Sequence, residues 1–371
     1  MNRTRLTNSR RAFTLVELLV SSVVLAVLML AMMTALSAVQ RTFAFTQARV
    51  DQFREARQAF DLINRNLSQA TLNPYWDYYY SETHSNVPPA TGSASPAAFV
   101  RQSELQFRID DAATAFGTTG SPLESPGHCV FFQAPLGLAA DGSSPGNLLN
   151  ARGYGIVFSG DQDQRPPFLS GYEIPVRRRY RLMEYRPAAE YQSVSAQGDT
   201  IYSHPSNWYK QDAATSTRVV ADNILLLLLS PRVADQGTKA TATNPWWIAP
   251  NYHYNSLDVD NSTPGLDPVT VQADGTALQG TQHLLPPLVQ VTLVAIDEVS
   301  AARWSQKRGD NGVDVLRESR AHFTDASRYE QDLALLRLYL EQQKLNYRVF
   351  SSTVTLRNAA WDSRVSPLAK S

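Results

Sequence analysis

A long apolar segment near the N-terminus constrains the fold of this chain more than any other feature. Residues 18–38 are apolar except for three serines and one threonine, which are Ser21, Ser22, Ser37 and Thr34. About 20 apolar residues in a helix can cross the roughly 30 Å hydrocarbon core of a bilayer. Residues 1–12 carry four arginines and no acidic residue. This basic flank predicts a single membrane span with a cytoplasmic N-terminus.

The helical pattern continues beyond the apolar segment. Side chains spaced by three and four residues share one face, namely Val50, Phe53, Ala56, Arg57, Phe60, Ile63, Asn64 and Leu67. No proline or glycine occurs between Met1 and Asn73. We therefore expect one helix with a transmembrane half at residues 13–39 and an amphipathic half at 40–72. A secretory signal peptide fits poorly, because its apolar region has about 7–15 residues and cleavage follows that region. A plain signal anchor remains an alternative.

One carboxylate distinguishes this segment from a plain signal anchor. Glu17 lies at the start of the apolar run, where an unneutralised charge costs several kcal/mol. The surrounding sequence is Arg11-Ala12-Phe13-Thr14-Leu15-Val16-Glu17-Leu18-Leu19. It resembles the type IV prepilin signal, in which a short basic leader and a small residue precede Phe-Thr-Leu-Val-Glu at the start of the membrane helix.

The resemblance implies a specific processing pathway. A prepilin peptidase would remove residues 1–12 by cleaving between Ala12 and Phe13, and Phe13 would then be N-methylated. Glu17 would occupy the fifth position of the mature chain and form an ion pair with the α-amine of a neighbouring subunit's Phe13. The family usually has glycine before the cleavage site, whereas this chain has Ala12. Cleavage is still expected because alanine is also small.

The remainder of the chain, residues 73–371, predicts a separate α+β head domain. Alternating or continuous apolar residues predict strands at residues 105–109, 130–133, 154–159, 177–185, 224–229, 289–295 and 350–356. A helix is predicted over residues 327–344, starting with a capping box formed by Ser327 and Glu330. Strands joined by irregular loops favour an antiparallel sheet. The predicted fold is thus pilin-like, with the long N-terminal helix packed on an antiparallel β-sheet head.

The head also resembles the J-type minor pseudopilins of type II secretion systems. The similarity is carried by three segments, Arg179-Tyr180-Arg181-Leu182, Val219-Val220-Ala221-Asp222-Asn223-Ile224 and Leu285-Pro286-Pro287-Leu288-Val289-Gln290-Val291-Thr292-Leu293. The ending, Tyr347-Arg348-Val349-Phe350 with Leu356-Arg357 and Trp361, is similar to the pilin-like group called Verru_Chthon cassette protein C. In the J-type family, the three segments that begin at Arg179, Val219 and Leu285 are sheet strands.

Composition and motifs give no catalytic residue or cofactor to propose. The 34 acidic and 34 basic residues balance, so no nucleic-acid partner is expected. Cys129 is the only cysteine, which excludes an intramolecular disulfide and a cysteine-rich metal site. Ser144 lies in a Gly-x-Ser-x-Gly sequence, but Pro145 lacks the N–H that an oxyanion hole requires. We therefore interpret this sequence as a loop and predict that the protein is not an enzyme.

Three further features have both a functional and a structural interpretation. Asp258, Asp260 and Asp267 are candidate calcium ligands, but the EF-hand spacing fails and a solvated turn is preferred. The arginines of residues 177–181 could bind phosphate. We prefer the structural interpretation, in which this segment is a strand whose arginines pair with nearby acids. Two aromatic clusters, at residues 75–80 and 246–254, could bind a partner or a sugar. We expect them to complete the core.

These observations predict an assembly subunit. It would insert in the inner membrane with a periplasmic head and would enter a filament near the filament tip. Its expected partners are membrane lipid, prepilin peptidase, other pilin-like subunits and an inner-membrane secretion platform. The tip is expected because a compact head of about 300 residues has a radius of gyration of about 19 Å, whereas packed helices lie about 8–10 Å apart. The alternative is a membrane-anchored binding or adhesion protein that uses a prepilin-type signal.

Overall fold

The structure is a computed structural model with two compact units, residues 1–51 and 52–371. It describes residues 15–83, 85–90, 95–116, 125–139, 141, 146, 148–162, 165–169, 172–190, 208–210, 216–232, 248–258, 270–271, 277–279, 281–308 and 321–359. Structural statements below refer to these described residues.

The fold is α+β, as the sequence predicts. The helices are α1 (Leu15–Leu67), α2 (Ala112–Phe116), α3 (Glu298–Arg308) and α4 (Tyr329–Gln342). The strands are β1 (Tyr75–Tyr79), β2 (Ala98–Gln102), β3 (Arg108–Asp111), β4 (His128–Pro135), β5 (Leu149–Ser159), β6 (Arg179–Tyr185), β7 (Thr217–Asp222), β8 (Ile224–Arg232), β9 (Tyr254–Asn255), β10 (Thr270–Val271), β11 (Ala277–Leu278), β12 (Leu288–Ile296) and β13 (Tyr347–Thr355). Short 3₁₀ turns occur at Pro167–Leu169, Trp208–Lys210 and Ala326–Arg328.

The head contains two larger antiparallel sheets. One has six strands in the order β7-β6-β5-β4-β3-β9, and the other has three in the order β13-β12-β8. Strand β8 contacts β4, β5 and β6 of the larger sheet. This contact explains its unbroken apolar sequence, because a strand covered on both faces needs no alternation of polar residues. Every residue from Ile224 to Leu229 is buried.

The C-terminal part of α1 belongs to the head and contributes to its core. Its small and large apolar residues Ala56, Ala59, Phe60, Ile63 and Leu67 are buried. The ring of Phe60 lies 5.9 Å from that of Phe350 on β13, and Asn64 Nδ2 donates a hydrogen bond of 2.9 Å to Ser352 Oγ. The predicted amphipathic face is confirmed for these residues.

The predicted face is wrong at one position and untested at another. Arg57 is exposed and lies 3.7 Å from Asp61 in an i,i+4 ion pair, because charged groups favour the solvated side of an amphipathic helix. The side chain of Val50 lies outside the described residues.

The start of α4 differs from the prediction. Asp325, rather than Ser327, caps the chain there, since its Oδ1 accepts a hydrogen bond of 2.9 Å from Ser327 N and one of 2.7 Å from Ser327 Oγ. A 3₁₀ turn at Ala326–Arg328 then leads into α4, whose N-cap residue Arg328 makes no side-chain cap. The predicted capping box is wrong because this extra turn shifts the helix start.

Candidate functional site

The N-terminal part of α1 is a candidate membrane anchor. Within the described part of the chain, Leu15–Phe43 is the one stretch of helix that is long and apolar enough to cross a membrane. Its 29 residues would extend about 44 Å, compared with about 30 Å for the hydrocarbon core. Its large apolar side chains are exposed. These side chains would need lipid or other apolar helices to cover them.

The serine and threonine hydroxyls between residues 18 and 38 suit a hydrocarbon environment. Ser21 Oγ donates a hydrogen bond of 3.0 Å to Leu18 O, and Ser22 Oγ donates one of 2.8 Å to Leu19 O. The hydroxyls of Thr34 and Ser37 bond in the same way to backbone oxygens one turn earlier. Because their donors are satisfied inside the helix, these residues do not require water.

Glu17 is an exposed residue in the first turn of α1. A negative charge is favourable at that end of a helix because the first backbone N–H groups are unsatisfied there. Val20, Ser21 and Val24 follow it at spacings that lie on the same helix face. The predicted cleavage residues Ala12 and Phe13 lie outside the described residues, so the cleavage, the methylation and the ion pair stay predictions.

A buried polar network fixes the end of α1 to the larger sheet. Asn66 Nδ2 donates a hydrogen bond of 2.7 Å to Tyr154 Oη, and that hydroxyl donates one of 2.7 Å to Glu184 Oε1. Burial, followed by the charge of Glu184, raises the pKa of Tyr154. Arg218 Nε donates a hydrogen bond of 2.6 Å to Glu184 Oε2, and Arg152 Nε lies 3.7 Å from Glu184 Oε1. The network thus joins α1 to β5, β6 and β7.

The arginine-rich segment at residues 177–181 pairs with acids. Arg177 and Arg179 both contact the carboxylate of Glu298 at the start of α3. Arg181 is buried, and its Nε donates a hydrogen bond of 2.8 Å to Asp222 Oδ1. The predicted pairing with acids is confirmed for these three arginines, and the predicted strand is confirmed from Arg179 onward, since Arg177 precedes β6.

The candidate calcium loop is only partly described. Asp260 and Asp267 lie outside the described residues. Asp258 Oδ2 lies 3.7 Å from His253 Nε2, and His253 Nδ1 lies 3.3 Å from Asp110 Oδ1. Hydrogen bonds to Asp110 and then Asp258 raise the pKa of His253 to about 9. The carboxylate of Asp258 therefore faces an imidazolium at neutral pH.

The other side chains that could carry chemistry are buried or lie outside the described residues. No group of three or more His, Cys, Asp or Glu within the described part of the chain could hold a metal ion. His128 and Cys129 are buried on β4. Burial lowers the pKa of His128 to about 4 and raises that of the Cys129 thiol. Ser144 lies outside the described residues.

The two aromatic clusters differ in their environments. Tyr252 and Tyr254 are buried, as predicted, whereas Trp246 and Trp247 lie outside the described residues. In the first cluster the prediction is wrong for Tyr75, Trp76 and Tyr78, which are exposed, and is confirmed for Tyr79, which is buried. These residues belong to strand β1 rather than a loop, and pairing with β2 turns Trp76 and Tyr78 away from the side that Tyr79 buries. Tyr75 is on the same side as Tyr79 and is exposed at the start of the strand. Residues 75–80 are aromatic except for Asp77, so the sequence shows no alternation that would distinguish the two sides of this strand.

Comparison with known proteins identifies the N-terminal region. The family model described as the prokaryotic N-terminal methylation motif matches residues 7–33. This motif is that of type IV prepilin-like proteins, and it implies cleavage by a prepilin peptidase and assembly with other pilin subunits. No curated protein and no solved structure matches the chain significantly. The match and the apolar helix are compatible with single-pass membrane anchoring.

Proposed function

We propose that this protein is a minor pilin-like subunit, or pseudopilin, of a type II secretion-type pseudopilus or a type IV pilus-like filament. Its N-terminal helix would anchor it in the bacterial inner membrane and later pack among the helices of other subunits. The observation that carries the proposal is the methylation motif at residues 7–33, which lies directly on an apolar helix. The role is structural and requires no catalytic group. The narrower assignments of this chain, to the J-type minor pseudopilins and to the Verru_Chthon cassette protein C group, are part of the same proposal.

Glu17 supplies the physical reason for assembly rather than simple anchoring. A carboxylate at the start of an apolar helix is costly in hydrocarbon unless a cation compensates it. Cleavage after Ala12 would create an α-amine on Phe13, four residues before Glu17. In a bundle of such helices, the amine of one chain can compensate the carboxylate of its neighbour. This pair would fix the axial position of each subunit relative to the next.

The proposed orientation places the head in the periplasm and the leader in the cytoplasm. The four arginines of residues 1–12 favour the cytoplasmic side. The predicted leader at 1–12, membrane half at 13–39, amphipathic half at 40–72 and head at 73–371 remain part of this proposal. The candidate span of α1 ends at Phe43, four residues beyond the proposed membrane boundary, and those four residues include the polar Gln40, Arg41 and Thr42.

Mass spectrometry of the protein extracted from membranes tests the processing step. We expect the N-terminal peptide to begin with N-methylphenylalanine at Phe13. An intact Met1 terminus, or a terminus near Ala38, would contradict the prepilin interpretation.

Substitution of Glu17 tests assembly separately from processing. Glu17→Val should leave cleavage and membrane insertion intact but reduce incorporation into sheared filaments at least tenfold, because the α-amine of the neighbour loses its partner. Leu28→Val, which changes an exposed apolar residue of the same helix, should incorporate normally and serves as the control. Normal incorporation of Glu17→Val would show that the ion pair is unnecessary.

The size of the head supports a place at the tip. Heads with a radius of gyration of about 19 Å would crowd if every subunit of a shaft with helices about 8–10 Å apart carried one. A subunit at the tip avoids this conflict and would be present in few copies. Immunogold labelling of sheared filaments should therefore mark one end. Label along the whole shaft, or filaments formed by this protein alone, would exclude the tip.

A membrane-anchored binding protein is the second candidate. The exposed rings of Trp76 and Tyr78 favour it, since such rings can bind a ligand outside any filament. This candidate predicts that Glu17→Val has no effect on the function of the head. The same variant therefore separates the two functions.

A further inference from the structure

Strand β13 is a long edge strand that pairs on one side only. It is the last strand in the order β13-β12-β8, and its nine residues pair with β12 in an unbroken antiparallel register. Among the strands that the structure describes, none pairs with the other side of β13. A row of backbone N–H and C=O groups on that side is therefore available to one more strand.

The register identifies the residues that direct their backbone groups outward. Just beyond the two ends of the pairing, Leu356 N donates a hydrogen bond of 3.1 Å to Pro287 O, and Asp297 N donates one of 3.2 Å to Asn346 O. Bonded and non-bonded positions alternate along an antiparallel strand, so the even-numbered residues of β13 bond to β12. The odd-numbered residues point their N–H and C=O groups away from β12, and we call them the open edge: Tyr347, Val349, Ser351, Thr353 and Thr355. The last three of these residues are exposed.

Strand β13 lacks the features that commonly protect an edge strand. Such strands are usually short, bulged, charged or interrupted by proline. In contrast, β13 contains no proline, and its one charged residue, Arg348, lies over the ring of Phe350 at 5.5 Å from the centroid. The edge strand β7 of the larger sheet is protected in the usual way, since it carries the charged residues Arg218 and Asp222 and has an irregular register with β6.

Two other sheet edges in the head are closed by side chains. On β2, Arg101 N donates a hydrogen bond of 2.5 Å to Gln279 Oε1, and Gln279 Nε2 donates one of 2.6 Å to Arg101 O. This side-chain amide satisfies both backbone groups, as a paired strand would. On β8, Leu229 N donates a hydrogen bond of 3.1 Å to His128 Nδ1. The open edge of β13 therefore differs from these edges in leaving its backbone groups to a partner.

The direction of β13 argues against a second copy of this chain as that partner. Asn64 Nδ2 donates a hydrogen bond to Ser352 Oγ, and further along both elements Arg357 N donates one of 3.3 Å to Ser68 O. The end of α1 and β13 thus run in the same direction. Two copies paired antiparallel through their open edges would place these ends of α1 in opposite directions. Subunits anchored in one membrane enter their heads from the same side, so this pairing does not fit them.

We propose that the open edge of β13 binds an extended segment of a different pilin-like subunit, which adds to the sheet as a fourth strand. This inference rests on the proposed function. Backbone hydrogen bonds would supply the affinity. The exposed serine and threonine side chains favour a segment of uncharged, β-branched or small residues, without proline at the bonded positions. Two subunits anchored in one membrane or filament meet at an effective concentration of about a millimolar, where a single added strand suffices.

Site-specific photo-cross-linking in the native host tests the proposal. The full-length chain would carry p-benzoylphenylalanine in place of Thr355, and cross-linked products would be identified by mass spectrometry. The expected product is a different chain that also carries a prepilin-type N-terminus. The photoreactive residue in place of Phe168, which is 75% exposed in the 3₁₀ turn at Pro167–Leu169, is the control and should not give that product.

Substitutions of Thr353 separate backbone pairing from side-chain contact. Thr353→Pro removes an N–H that β12 does not use, and its ring occupies the space of the added strand. We expect the head to remain folded and the cross-link from position 355 to fall about tenfold. Thr353→Val keeps the N–H and the β-branched shape, so the yield should stay within about twofold of the natural chain.

A second variant keeps the test decisive if proline disturbs the fold. Thr353→Lys leaves the backbone intact and places a charge on the edge, which should reduce the cross-link about fivefold. Urea unfolding of each full-length variant, followed by tryptophan fluorescence, shows whether its head is folded.

The outcomes separate this inference from the proposed function. Cross-linking only to lipid, to polysaccharide, to a second copy of this chain, to a chain without a prepilin-type N-terminus or to nothing overturns the docking proposal. So do equal yields from Thr353→Val and a folded Thr353→Pro or, if the proline variant does not fold, from Thr353→Val and Thr353→Lys. In each case the function stands if Phe13 is methylated and the chain sediments with filaments. If those two measurements fail, the proposed function fails as well.

Discussion

Two stretches of the single helix α1 differ in what surrounds them. From Leu18 to Val39 the helix has no charged residue and carries apolar side chains on all sides, and these side chains are exposed. From residue 53 to 67 only one face is apolar, and that face is buried in the head. The first stretch needs an environment that is uniformly apolar, whereas the second needs a surface shaped to fit it. The two stretches of one helix therefore have different requirements: the first needs apolar surroundings of any shape, and the second needs a complementary surface.

The polar groups show the same contrast. In the anchor, the hydroxyls of Ser21 and Ser22 bond to the helix backbone. In the head, Asn66 begins a chain of hydrogen bonds that reaches Glu184 on another strand. The anchor therefore satisfies these hydroxyls locally, while the head depends on contacts between residues far apart in sequence.

The largest expected effect separates the two stretches directly. Ile63→Ala should lower the free energy of unfolding of the head by about 3 kcal/mol, because Ile63 is fully buried and its truncation leaves a cavity. Leu28→Ala should leave that free energy unchanged, since Leu28 is exposed in the anchor. All six tryptophans follow residue 72. Their fluorescence during urea unfolding of the full chain in detergent micelles therefore reports on the head.

Equal effects of the two substitutions would contradict the comparison. The retained far-UV circular dichroism of both variants in the absence of urea is the control, because it shows that α1 still forms. A large effect of Leu28→Ala alone would mean that the head depends on the anchor for its stability.

Much of this fold could be predicted because its signals are local. The apolar run that contains Leu28 has the length of a membrane-spanning helix, and the spacing of Phe60, Ile63 and Leu67 indicates the buried face. The central strands β8 and β12 were also visible, since continuous or alternating apolar residues fill them. These features depend on neighbours within one element, so a single sequence contains the necessary information.

The remaining features depend on which elements meet. The exposure of Trp76 follows from the pairing of β1 with β2, and an aromatic-rich segment alone does not predict which alternate residues face the core. The side-chain closure of Arg101 by Gln279 joins residues 178 positions apart. The helix α3 was missed because its sequence is mostly polar, and its start at Glu298 pairs with Arg177 and Arg179. Such pairings are consequences of tertiary structure.

A smaller effect concerns pH and should be confined to the head. His128 is buried, its Nδ1 accepts a hydrogen bond of 3.1 Å from Leu229 N, and its pKa is lowered from 6.5 to about 4, chiefly by burial. Between these values the unfolded chain binds the proton more readily than the folded head. The stabilising contribution is therefore present above pH 6.5 and is lost as pH falls towards 4.

The variant His128→Gln isolates this contribution, because glutamine can accept the same bond and does not titrate. Relative to the variant, the natural chain should lose about 2 kcal/mol of unfolding free energy between pH 7.5 and pH 5. Urea unfolding at several pH values measures the difference. His283, whose pKa is also lowered to about 4, is unchanged in both chains and cancels. Parallel pH profiles would contradict the assignment to His128.

The smallest effect tests a helix start at which sequence pattern and structure disagree. The capping-box pattern assigns the cap of α4 to Ser327, whereas in the structure Asp325 Oδ1 accepts hydrogen bonds from both Ser327 N and Ser327 Oγ. Asp325→Ala should therefore cost about 1 kcal/mol of unfolding free energy. Asp325→Asn, which keeps an acceptor oxygen, should cost less than about half of that. Ser327→Ala removes only an exposed hydroxyl donor, so its cost should also stay below about 0.5 kcal/mol. The same fluorescence-monitored unfolding measures all three variants. If Ser327→Ala proved more costly than Asp325→Ala, the capping box would be the correct description and α4 would begin at Arg328, directly after Ser327.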